Sequence, residues 1–167
     1  YELSGDNSSL SVGLDEFIGQ TGEGYFTQRA GTHTVGQTLY LGRDAGGSGA
    51  YELFDGTLSA KNEYIGYAGK GDFTQHGGTH SVTGDLVLAK ESGAVGYYRL
   101  TGGVLNVTDS ASTGNYAVLY VGYSGQGTLE VTNGATVSCG YRGYIGYESG
   151  SRGVVFVDGE GSNLSCS

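Results

Sequence analysis

Residues 25–35 read YFTQRAGTHTV and residues 72–82 read DFTQHGGTHSV, two nearly identical segments whose matching positions lie 47 residues apart. A repeat at a fixed interval decides whether a chain is a globule or a stack of like units. Outward from this pair a shorter period emerges. The segments Phe17-Ile18-Gly19, Tyr40-Leu41-Gly42, Tyr64-Ile65-Gly66, Val87-Leu88-Ala89, Tyr120-Val121-Gly122 and Tyr144-Ile145-Gly146 set their central apolar residues 23, 24, 23, 33 and 24 positions apart. The 47-residue unit is therefore a pair of turns of about 23 to 24 residues each. The one long interval carries about ten surplus residues at 108–117, a polar stretch that predicts an inserted loop.

A second strand follows each of these segments, centred on Phe26, Tyr51, Phe73, Tyr98, Leu129 and Val155, after steps that alternate between 8 and 10 residues. A third strand closes each turn, with inward candidates His33/Val35, Leu58/Ala60, His80/Val82, Leu105/Val107, Val137/Cys139 and Leu164/Cys166. Strands this short, parted by glycine-rich corners, cannot bury an apolar face within one turn. Stacking turn on turn solves the problem, because each strand then pairs with its copies above and below and the inward residues form ladders. The prediction is an all-β fold, a parallel β-solenoid of three short strands per turn and six to seven turns, spanning residues 1–167 as one segment. At about 4.8 Å per turn the rod would be roughly 30–35 Å long. Tyr1-Glu2-Leu3 matches Tyr51-Glu52-Leu53, so the chain opens within a turn, and the expectation is an excerpt of a longer array, or ends covered by neighbouring copies.

Composition agrees. The 167 residues include 34 glycines and 14 tyrosines with no proline, methionine or tryptophan, a vocabulary of turns and strands. The net charge of −9, without a basic cluster, argues against nucleic acid as a partner. No apolar run approaches the ~20 residues of a membrane span.

The chemistry-bearing residues are few. His33 and His80 occupy matching positions two turns apart, about 10 Å by ladder spacing, too far to share a metal at ~2.0–2.1 Å. Gln28 with His33, and Gln75 with His80, read as buried polar pairs in which each group satisfies the other. No metal or cofactor is expected. Paired carboxylates would signal glycan hydrolysis. The acids Asp6, Asp15, Glu16, Glu63, Asp72, Asp85, Glu91 and Asp158 are scattered, however, and the recurrence of Glu16 and Glu63 is what repetition alone produces. Cys139 and Cys166 fall at the same inward position of successive turns, where a disulfide and two buried thiols both remain open. Strand alternation turns Phe17, Tyr40, Tyr64, Val87, Tyr120 and Tyr144 outward, five aromatics of six, as a flat stripe able to accept sugar rings face-on.

The glycine-rich pattern around residues 125–134 and 64–78, with the Leu119-Tyr120-Val121-Gly122-Tyr123 form of its first strand, resembles the repeats of bacterial autotransporter passenger domains and related large surface proteins. That resemblance implies a right-handed β-helix, secretion to the cell surface or beyond, and roles in adhesion or matrix building. The leading expectation is a structural solenoid (spacer, fibre or matrix component) that partners copies of itself or neighbouring repeats through open ends, and not an enzyme. The alternative is a carbohydrate-binding adhesin that takes polysaccharide on Phe17, Tyr40, Tyr64, Tyr120 and Tyr144. A glycan-degrading β-helix enzyme stands as the second alternative.

Overall fold

The computed structural model describes residues 1–108 and 116–167. Most of the predicted inserted loop, residues 109–115, lies outside the described residues. The described chain is all strand and turn. It coils as a parallel β-solenoid of about six turns, preceded by the partial turn of β1 (Glu2–Leu3) and β2 (Ser9–Val12).

Three strand positions recur in each turn. The second position is filled by β1, β4 (Glu23–Gln28), β6 (Ser48–Leu53), β8 (Lys70–Gln75), β11 (Val95–Leu100), β14 (Gln126–Val131) and β17 (Arg152–Val157), which pair in that order as a seven-stranded parallel sheet. The first and third positions share an eleven-stranded sheet. It comprises β2, β3 (Glu16–Ile18), β5 (Thr32–Leu41), β7 (Thr57–Ile65), β9 (Thr79–Val82), β10 (Leu86–Leu88), β12 (Val104–Val107), β13 (Val118–Val121), β15 (Thr136–Cys139), β16 (Arg142–Ile145) and β18 (Asn163–Cys166).

Three separate strands per turn were expected, but β5 and β7 each run from the third position of one turn into the first position of the next. For β7 the reason is local. Between Ala60 and Glu63 the chain is Lys61-Asn62, with no glycine to make a sharp corner, and it stays extended. In β5 the same bend is absorbed as a register shift between Val35 and Thr38.

The inward ladders follow the sequence period. Ile18, Leu41, Ile65, Leu88 and Val121 are register partners in succession and all are buried. Phe26, Tyr51, Phe73 and Tyr98 form a second ladder, with ring centroids 4.8, 4.9 and 4.6 Å apart. Burying each such side chain contributes about 1.5–3 kcal/mol, so most of the stability lies in contacts between adjacent turns.

The corners set how closely turns approach. Gly66 adopts φ +74°, and a Cβ there would stand 2.2 Å from the carbonyl oxygen of Val95 in the next turn. Its counterpart one turn on is Ala89, which holds the same left-handed conformation at φ 58° despite its side chain.

Candidate functional site

The polar chemistry lies inside the solenoid. On the first strands, Glu16, Leu39, Glu63, Leu86 and Leu119 are successive register partners, so two carboxylates sit in an otherwise aliphatic inward ladder. His33 and His80 alternate with leucine in the third-strand ladder, and Gln28 and Gln75 alternate with leucine in the second. Each turn that contributes Glu, Gln and His is followed by a turn that contributes a tyrosine, Tyr51 or Tyr98.

Gln28 and His33 do not bond each other directly, as had been expected of them and of Gln75 and His80. The tyrosine hydroxyl of the next turn stands between. Tyr51 donates to Oε1 of Gln28 at 2.6 Å and lies 2.8 Å from Nδ1 of His33. Tyr98 donates to Oε1 of Gln75 at 2.7 Å and lies 2.8 Å from Nδ1 of His80. On the far side of each imidazole, Nε2 sits 2.8 Å from Oε2 of Glu16 or Glu63. His33, His80, Gln28, Gln75 and Glu63 are fully buried, and Glu16 is slightly exposed.

Donor and acceptor counting fixes the protons. Nε2 of Gln75 donates to the carbonyls of Gly77, Gly78 and Val104 at 3.1–3.2 Å, which orients the amide and leaves Oε1 to accept. The Tyr98 proton is thus committed to Gln75, so Nδ1 of His80 must carry a hydrogen and donate to the tyrosine oxygen. The quartet is then neutral when Nε2 and the Glu63 carboxyl hold one proton between them, as imidazolium with carboxylate or imidazole with carboxylic acid. Neutrality is what a buried cluster demands. The Nε2–Oε2 contact is close but not aligned as a directed hydrogen bond, and Oε1 of Glu63 has no partner among the described residues. At 2.8 Å the two groups are close enough to hold that proton between them. Burial raises the hydroxyls of Tyr51 and Tyr98 well above the ordinary phenol range, with the nearby glutamates adding to the effect.

Carboxylate, imidazole and hydroxyl follow one another in the order of a hydrolytic triad. Here the hydroxyl faces an amide and is closed to solvent, so the arrangement suits joining turns and not attack on a substrate. The tyrosines and glutamates were missed as members of the unit. The signal was present: Glu16/Glu63 and Tyr51/Tyr98 recur at the same 47-residue interval as the Gln and His residues. In the next pair of turns the four slots become Leu119, Val131, Val137 and Val155 together.

On the outer side of the first strands, Phe17, Tyr40 and Tyr64 stack in sequence with centroids 5.1 and 5.3 Å apart and planes within 11–13° of parallel. Tyr120 and Tyr144 form a second stack at 5.3 Å. The stripe is broken between them at Val87, which is buried between its larger register partners Tyr64 and Tyr120 instead of standing outward. Nor is the stripe flat. Nearly parallel rings this close must overlap, so each gives much of its face to a neighbour, while Tyr67 and Tyr147 meet the stacks edge-on. The surface therefore offers ring edges and hydroxyls. Burial pushes the hydroxyls of Tyr64 and Tyr120 up to about 12, helped by Asp85 and neighbouring tyrosines. Lys90 lies 3.2 Å from the ring centroid of Tyr123.

Cys139 and Cys166 are register partners on β15 and β18, both free thiols, the first buried and the second exposed. His76 sits on the surface, stacked on Phe54 at 4.7 Å. Among the described residues no three His, Cys, Asp or Glu side chains converge on a metal site, and no helix is long and apolar enough to cross a membrane. Comparison with protein-family models, with curated proteins and with solved structures found no match to this chain.

Proposed function

We propose that this chain is a structural solenoid of the cell surface or extracellular space, a rigid spacer or matrix element built as autotransporter passengers are. The observation that carries the reading is the use of the polar core. Glu63, Gln75, His80 and Tyr98 are spent on binding one turn to the next, as are their counterparts 47 residues earlier. Repetition of the same contacts makes length a matter of turn number. Removal of residues 42–88, one pair of turns, tests the mechanical role. The rod should shorten by about 10 Å in solution scattering while its strand content per residue is unchanged. Collapse of the shortened chain to a non-rod shape would overturn the reading. Protease shaving of intact cells tests the location.

The second reading, a polysaccharide-binding adhesin, is favoured by one feature, the stacked tyrosines of the outer face. Saturable binding of a single glycan class on an array would make it the better one.

A further inference from the structure

The third-strand ladder is aliphatic through Val35, Ala60, Val82 and Val107 and then becomes two thiols, Cys139 and Cys166, in register. Paired parallel strands hold register partners about 4.8 Å apart at Cα, inside the ~4.4–6.8 Å range of disulfides. In-register side chains on parallel strands point the same way, which leaves their Cβ atoms wider apart than a relaxed bridge prefers, so one strand must give. Among the described residues β18 pairs only with β15, whereas β15 is held between β12 and β18.

We propose that Cys139 and Cys166 form an oxidisable clasp, a site for thiol–disulfide exchange with small-molecule disulfides that locks the turn of β16–β18 onto the turn before it. The two thiols divide the work by exposure. Among the described residues Cys166 is exposed and Cys139 only 2% exposed, so a reagent meets Cys166 first. The Cys166 thiolate attacks the reagent disulfide RSSR, giving Cys166–S–SR and releasing RS⁻, which takes up a proton. The Cys139 thiol then loses its proton and displaces the second RSH, giving Cys139–S–S–Cys166. Two electrons pass to the reagent, and two RSH leave.

The Cys166 sulfur also lies 3.0 Å from where a Cβ on residue 143 would stand, and glycine at that position leaves it room. Burial, together with a hydrogen bond to Cys139, pushes the Cys166 thiol up to about 12. Exchange is therefore slow near neutrality and should accelerate by about tenfold per pH unit while the thiolate is the minor form.

The test is equilibration of the whole chain with oxidised glutathione, acid quench, alkylation under denaturing conditions and intact mass measurement. The expected product is a monomer lighter by two hydrogens, with no alkylated thiol and with slower amide exchange in β18 than in the reduced chain. Cys166→Ser, a change at an exposed position, should abolish the mass loss and the added protection and leave Cys139 as a free thiol. A stable glutathione adduct on Cys166, a disulfide-linked dimer, or two free thiols at equilibrium would each overturn the proposal.

Discussion

The hydroxyl of Tyr98 lies 2.8 Å from Nδ1 of His80, a residue 18 positions earlier and one turn below. With Gln75 and Glu63 it makes a unit in which no member is satisfied alone. Tyr98→Phe keeps the ring on Phe73 but orphans Oε1 of Gln75 and Nδ1 of His80, and should cost roughly 1–3 kcal/mol for each group left unpaired. The quadruple change Glu63→Leu, Gln75→Val, His80→Leu, Tyr98→Phe copies the apolar character of the following turns and should recover most of that loss. Urea unfolding of the single and quadruple variants measures both. Equal losses in the two would mean that the orphaned Gln75 and His80 are not the source of the cost.

The same unit marks where the sequence was legible and where it was not. Ile18, Leu41, Ile65, Leu88 and Val121 were readable as one inward ladder because apolar burial imposes a strict period. Gln28 and His33 were readable as buried polar residues for the same reason, but their partner was not. A side chain in the next turn is as near in space as one in the same turn, and only the stacking register shows that Tyr51 fills the gap. Val87 was misplaced because strand alternation gives the direction of a side chain and not the size of its neighbours, which here enclose it.

Corner geometry supplies a second prediction. Gly66→Ala would place a methyl 2.2 Å from a backbone oxygen at a φ of +74°, and the next turn would have to move. The expected loss is 2 kcal/mol or more on thermal or urea unfolding, of the order set by left-handed strain of about 1–2 kcal/mol plus displacement of the neighbouring strand. Ala89→Gly is the converse. Relief of strain at φ 58° opposes loss of a buried methyl worth about 0.8 kcal/mol, so the variant should stay within about 1 kcal/mol of the parent. A large destabilisation at position 89 would show that the methyl, and not the corner, matters there.

The outer tyrosines predict an alkaline transition. Tyr64 and Tyr120 are held up to about 12 in the folded chain by burial, above the ordinary phenol value of 10.0. A raised folded value means that the native state keeps the proton more tightly, so the stability this provides is complete below pH 10.0 and is lost as pH climbs toward about 12. Stability against urea should fall across that window, with phenolate absorbance rising alongside it. Tyr64→Phe should weaken the fall. A flat profile from pH 10.0 to about 12 would contradict the burial that these rings show.

Replacement of ring by hydroxymethyl separates packing from recognition on the same face. Tyr64→Ser removes the stack on Tyr40, and Tyr120→Ser removes the stack on Tyr144, each at about 0.2–1 kcal/mol for the lost pair. Both changes also uncover Val87, which lies between the two rings. If the stripe is purely structural, the double variant should show a lower unfolding midpoint and no change in retention on polysaccharide affinity gels. Retention lost at a temperature where the variant is fully folded would move the stripe from ladder to ligand site. Because the ring faces are largely taken by neighbouring rings, the stability loss is the expected result.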